Sequence, residues 1–213
     1  MKSTPFEAVC FDLDDTLYPY EAYARTGLGA AADHLAERTG ERLHDEVFAL
    51  YFDEGVTTGT FDTLLERHDL DPDLAAPLVA AYHAATEPLD PYPETPAVLA
   101  ALARDHALGL VTDGRGGHEK LDRLDLADQF DVVLVNHDHG VTKHEPEPFE
   151  RALSALDSAP TEAIHVGNSL SSDVEGARTA GLDAAWLDDG SDPDPVPEYA
   201  LGTLPELLDR PWE

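Results

Sequence analysis

Five short apolar runs punctuate this chain: Ala8–Phe11, Leu108–Thr112, Val132–Val135, Ala163–Val166 and Ala184–Leu187, with a weaker sixth at Tyr199–Leu201. Each has the length of a strand rather than of a buried helix. Amphipathic segments lie between most of them. One opens at Thr95-Pro96, an N-cap and N1 pair, and carries Val98, Leu99 and Leu102 on one face. Another runs through Phe149, Leu153 and Leu156, and a third starts near Ser172 and stops at Gly181, a C′ residue. This alternation predicts an α/β fold, a doubly wound parallel sheet with helices on both faces.

The interval between the first two runs breaks the pattern, because it is far longer than one crossover needs. Tyr20–Arg38 reads helical, with Tyr23, Leu28, Ala31 and Leu35 close to a 3.6-residue period, and Leu43–Tyr51 and Thr60–His68 read likewise. Asp71-Pro72 caps a fourth helix that Pro77 kinks or restarts. The expected organisation is a small helical domain, 18–90, inserted into an α/β core made of 1–17 and 91–213. The proline-rich return "EPLDPYPETP" suits a hinge, and "DDGSDPDPVPE" (188–198) a polar surface loop.

Charge narrows the function. The chain of 213 residues has 13 basic and 44 acidic residues, a formal charge of −31. No basic stripe exists to neutralise phosphates, so nucleic acid and anionic membranes are excluded as partners. Of the basic residues only Lys2, Lys120 and Lys143 are lysines. An acidic, lysine-poor surface looks like that of proteins from salt-accumulating halophiles, whose molar salt cuts the Debye length to about 3 Å and screens self-repulsion. The single cysteine, Cys10, lies in an apolar run as a packed small hydrophobe, which fits a reducing cytoplasm. No long apolar leader or spanning segment occurs. A cytoplasmic monomer or homodimer is expected.

Against that background "AVCFDLDDTLYPY" is anomalous: a buried strand runs straight into Asp12, Asp14 and Asp15. Open parallel sheets bind ligands at the carboxyl ends of their strands. Read in order, those ends offer Asp12, Asp14 and Thr16, then Thr112, then Lys143, then Asp173. Clustered oxygens suit a hard dication such as Mg²⁺, and a carboxylate can also attack phosphorus to give an aspartyl-phosphate. Asp15 reads as a turn acid capping local N–H groups, and Thr16 as a backbone-bonding threonine.

These residues resemble the four motifs of the haloacid dehalogenase-like superfamily. "FDLDDTLY" is similar to the first and "LVTDG" to the second. "GVTKHEPEPF" resembles the third, with His144 in place of the usual proline, and "HVGNSLSSDVEGARTAGL" the fourth. The resemblance covers nearly the whole chain. It implies a Rossmann-like core with a helical cap after the first motif, and a Mg²⁺-dependent phosphatase acting on a small phosphorylated metabolite. It makes Asp12 the nucleophile and Asp14 the general acid and base. Thr112, Asp113 and Lys143 become phosphate-binding groups, and Asp12, Asp14, Asp173 and Asn168 the metal site.

Two departures stand out. Asn168 replaces a common aspartate and removes one charge from the metal site; Asp113 replaces a common asparagine. The same motifs also fit a phosphomutase, which would form an isomer without releasing phosphate, and Asn168 alone suggests a catalytically weak metal-binding or regulatory protein. A dehalogenase shares the aspartate nucleophile but has no use for Asp14, and a receiver-type signalling domain lacks the insert. His137, His139 and His144 crowd one loop and Arg115 follows the second motif; they read as variable loop and surface positions.

Overall fold

The computed structural model describes residues 6–188, 190, 194 and 196–212. Among these, six strands form one parallel sheet: β1 (Ala8–Phe11), β2 (Ala107–Thr112), β3 (Val132–Val135), β4 (Ala163–Gly167), β5 (Asp183–Leu187) and β6 (Tyr199–Leu201), ordered β3-β2-β1-β4-β5-β6. The three predicted runs Ala8–Phe11, Val132–Val135 and Tyr199–Leu201 are strands over those same bounds. β1 is buried at every position, as a central strand covered on both faces must be. Chain direction across the sheet reverses at β1. Strands β2 and β3 extend to one side and β4 to β6 to the other, which opens a crevice at the carboxyl ends of β1 and β4. Five residues of the expected 188–198 loop (189, 191–193 and 195) lie outside the described set, as do the first five and the last of the chain.

The chain separates into two compact units, one containing residues up to 19 and from 89 onward, the other Tyr20–Pro88. The second is all helical: α1 (Tyr20–Thr39), α2 (His44–Phe48) continuing as a π-turn through Asp53, α3 (Thr60–Arg67) and α4 (Ala75–His83). Tyr23, Leu28, Ala31 and Leu35 are buried along α1, as their spacing predicts. Asp71 accepts from the Asp73 N–H to start a 3-10 turn at Pro72, and α4 restarts with Pro77 in its first turn, where a missing N–H costs nothing. Within this unit Tyr20, Tyr51, Phe61, Tyr82 and His83 line a cavity of about 220 Å³.

In the first unit α5 (Thr95–Leu102), α6 (Gly117–Arg123), α7 (Glu147–Ala155) and α8 (Glu175–Thr179) flank the sheet. Phe149 and Leu153 of α7 join Ala177 of α8 and Ala8, Ala163 and Trp186 of the sheet in one core. Two local expectations are corrected. Thr95 is the first residue of α5 rather than its cap, and its hydroxyl donates to the Leu17 carbonyl at 2.9 Å, pinning the helix start to the loop after β1. The third helix begins as a π-turn, Leu170–Val174, with Ser169 as the capping residue.

Candidate active site

Asp12 is the first residue beyond β1, and its N–H still donates to Val166 of β4 at 2.9 Å, so it leaves the sheet in register at the crevice. Asp12 as a whole is 5% exposed. Lys143, from the turn before α7, donates to Asp12 Oδ1 at 2.5 Å and to Asp173 Oδ1 at 2.6 Å, and Lys143 and Asp173 are as deeply buried as Asp12. This close approach depends on Gly176 of α8. A Cβ there would collide with the Lys143 carbonyl.

The three charges divide unequally. Burial pushes Asp12 up, Lys143 pulls it down, and Asp173 and Asp14 push it up again, leaving it at about 7. Burial also opposes ionisation of Asp173, but Lys143 and His165 outweigh it and hold that carboxyl well below the usual range. Asp173 Oδ2 accepts the Ser169 N–H as well, at 2.9 Å. Burial works against the Lys143 ammonium, and the two carboxylates more than restore its charge. His165, within β4, is pushed down by burial and stays neutral. Because its Nε2 lies 3.1 Å from an ionised carboxylate, Nε2 carries the hydrogen, and buried Nδ1 is left with no partner.

Thr16 does not serve the backbone as expected. Its hydroxyl lies 3.4 Å from both Asp12 Oδ2 and Asn168 Oδ1, so it spans the two strand ends. Asn168 is fixed from behind by Trp186, whose indole N–H donates to its carbonyl at 2.9 Å. Asp15 is an exposed residue at φ +57°, a left-handed position that aspartate tolerates, and its N–H donates to the Tyr18 carbonyl.

Thr112 ends β2, 1% exposed, and accepts the Gly114 N–H at 3.3 Å. Asp113, expected among the phosphate-binding groups, is engaged elsewhere. Its Oδ1 accepts from Asn136 Nδ2 at 2.7 Å and from the Lys143 N–H at 3.0 Å. An acid at this position thus braces the backbone that presents the lysine. Arg115 is exposed, and the histidines 137, 139 and 144 form no metal-holding group among the described residues.

Sequence reasoning missed Lys120. Its ammonium lies 2.7 Å from both oxygens of Asp14, and the Tyr18 hydroxyl donates to Asp14 Oδ1 at 2.6 Å. A signal was present: in a chain with so few lysines, the two that the structure describes are both buried against this carboxylate cluster.

The donor set suits a hard dication. No three His, Cys, Asp or Glu side chains group to hold a metal among the described residues. With Lys143 on the Oδ1 atoms of Asp12 and Asp173, the side-chain oxygens left are Asp12 Oδ2, Asn168 Oδ1 and Asp173 Oδ2, which also accepts the Ser169 N–H; oxygen donors are what Mg²⁺ prefers.

Residues 6–181 match the family model of the haloacid dehalogenase-like hydrolases. The chain belongs to this family. It is 33% identical, over 95% of its length and 96% of the other's, to a glyceraldehyde 3-phosphate phosphatase of Methanopyrus kandleri. Its identity to a phosphoserine phosphatase of Thermus thermophilus is 35% over 81% of this chain and 76% of that one. Among solved structures, a 2-haloacid dehalogenase from Pseudomonas syringae superposes with a TM-score of 0.72 at 29% identity, covering 98% of this chain and all of the other. No helix among the described residues is long and apolar enough to cross a membrane.

Proposed function

We propose that this haloacid dehalogenase-like hydrolase is a Mg²⁺-dependent phosphatase that hydrolyses a small phosphomonoester through an aspartyl-phosphate on Asp12. The observation that carries the reading is the buried Lys143 held between Asp12 and Asp173, with the Thr112 hydroxyl ending the neighbouring strand. An ammonium so placed can hold a phosphoryl oxygen beside the attacking carboxylate.

In the first half-reaction an Asp12 oxygen attacks phosphorus, the bond to the leaving oxygen breaks, and Asp14 supplies the proton that oxygen needs. In the second, Asp14 takes a proton from water, the hydroxide attacks phosphorus, and the Asp12–phosphorus bond breaks to restore the carboxylate. Lys143 and Thr112 hold the phosphoryl oxygens throughout, while Asp113 keeps the lysine loop in place. Asp12, Asp173, Asn168 and the Asp14 carbonyl would hold Mg²⁺, which supplies charge compensation to a site where burial and neighbouring acids already lift Asp12 to about 7.

Asp14 favours this over dehalogenation, because halide departs without a proton. Residues 20–88 are proposed as the cap that selects the leaving group, and the acidic surface as an adaptation to molar salt in a halophile's cytoplasm. The names of the relatives put three-carbon phosphates first in line as substrates. The test is a phosphate-release screen in molar KCl with Mg²⁺, headed by glyceraldehyde 3-phosphate and phosphoserine. Release that EDTA abolishes is expected; folded protein releasing phosphate from no monoester, or converting a sugar phosphate to its isomer, would refute the reading.

A further inference from the structure

Lys120 takes no part in the chemistry above, yet it is built into the site. Its side chain extends from α6 to Asp14, 2% exposed, with one ammonium and two carboxylate oxygens all at 2.7 Å. The terminal torsion of an aspartate is soft and roughly two-fold, so a single partner leaves it free to turn. Here a forked contact from Lys120 and a second donor, Tyr18, fix it. Gly114 marks how tightly the groups converge. A Cβ built on it would lie 2.6 Å from Asp14 Oδ2, 3.0 Å from Lys120 Nζ and 3.6 Å from Thr112 Oγ1. Asp14, Lys120 and the proposed phosphate-binding hydroxyl therefore surround one point that only glycine leaves open.

Stability alone does not explain such a lysine. Burying an ammonium costs several kcal/mol, and an ion pair repays this no better than a well-packed apolar residue often would. We propose that Lys120 is a positioning residue: it holds the Asp14 carboxylate where the leaving oxygen of the substrate will be, and exchanges no proton itself. This rests on the proposed role of Asp14 as proton donor in a phosphatase.

The test compares kcat/KM for an alkyl phosphate, glycerol phosphate, whose leaving oxygen must be protonated, and for p-nitrophenyl phosphate, whose leaving oxygen needs no proton. This ratio reports the first half-reaction alone, since water activation is common to both esters. Lys120→Met is expected to lower kcat/KM for the alkyl ester by about 10²-fold, the lower end for a general acid, and for the aryl ester by less than about tenfold. Lys120→Arg should recover part of the loss. In an Asp14→Asn background, Lys120→Met should leave the alkyl-to-aryl ratio where Asp14→Asn alone put it. Equal losses on both esters, no loss, or a further change of the ratio in that background would each overturn the proposal. Should Lys120→Met not fold, Tyr18→Phe removes the other donor to Asp14, and a loss that is not selective for the alkyl ester would overturn it equally. A wild type that releases phosphate from no monoester, these two and those of the screen above included, marks the failure of the phosphatase reading; a wild type active on both esters, with Lys120→Met losing the two alike, marks the failure of the role given to Lys120.

Discussion

Lys143 is worth most where water is excluded, and its two carboxylates compete for it. Asp173 also has His165 and the Ser169 N–H, so it stays ionised, whereas Asp12 has the lysine and two repelling acids and sits near 7. The deficit of positive charge thus falls on Asp12, the proposed nucleophile. Asn168 bears on it directly, since its Oδ1 shares the Thr16 hydroxyl with Asp12 Oδ2. Asn168→Asp adds a carboxylate on that side, and the half-saturating Mg²⁺ concentration should fall several-fold, because opposite charges a few ångströms apart attract strongly in a buried site. Turnover need not rise, as the added charge opposes the incoming phosphate. A Mg²⁺ titration showing equal or weaker dependence would remove Asn168 from the metal's surroundings. Two residues before Asp12, burial pushes the Cys10 thiol up to about 12. A raised pKa means the protonated, unreactive form persists at about pH 8, so iodoacetamide should modify Cys10 only after unfolding. Modification at the same rate in folded and unfolded protein would show that β1 is not sealed.

At the scale of elements, α1 offers a test of packing against propensity. Alanine in place of an interior helical glycine ordinarily gains about 0.5–1 kcal/mol. Gly29 has nothing within 4 Å of its missing Cβ, so Gly29→Ala should raise the melting temperature. At Gly27 a Cβ would sit 2.7 Å from the Tyr82 ring and 2.8 Å from the Tyr82 carbonyl, which is backbone of α4 and cannot turn aside. Gly27→Ala should therefore lower the melting temperature, and two shifts of the same sign would contradict the way α1 and α4 pack. The strands were legible because each is a short, mostly apolar run, even the edge strand at Tyr199–Leu201. Asp12, Lys143 and Asp173, named from the order of the strands, do come together, although Lys143 and Asp173 stand in the turns well beyond β3 and β4 rather than at their ends. Hydroxyl and ammonium partners were not legible. Thr95 looked like a cap, but Leu17, far back in the chain, claims its hydroxyl; Thr16 reaches across to Asn168; Lys120 meets Asp14 106 residues away. Such partners are set by the crossover of the sheet rather than by any local pattern. Asp113 is likewise claimed by a backbone N–H 30 residues on, that of Lys143.

For the whole molecule, charge is the governing term. The surface holds scattered, solvent-exposed pairs such as Arg67–Glu54 and Arg210–Asp105, which water screens and which contribute little to stability. They stand against a formal charge of −31. Salt screens both, but the repulsion is the larger sum, so the melting temperature should climb as KCl rises from dilute to molar; a flat or falling curve would contradict this. In the proposed mechanism the parallel sheet and the crevice at its switch point serve one chemical end, which is to place Asp12 against phosphorus. The most direct measurement is mass spectrometry of acid-quenched enzyme taken during turnover of p-nitrophenyl phosphate, whose leaving oxygen needs no proton, using Asp14→Asn so that hydrolysis of the intermediate is slowed while its formation is not. The peptide bearing Asp12 should carry the mass of one phosphoryl group, and Asp12→Asn should abolish both that mass and phosphate release. A peptide that never gains the group, or a phosphoryl group found on another residue, would contradict the covalent mechanism.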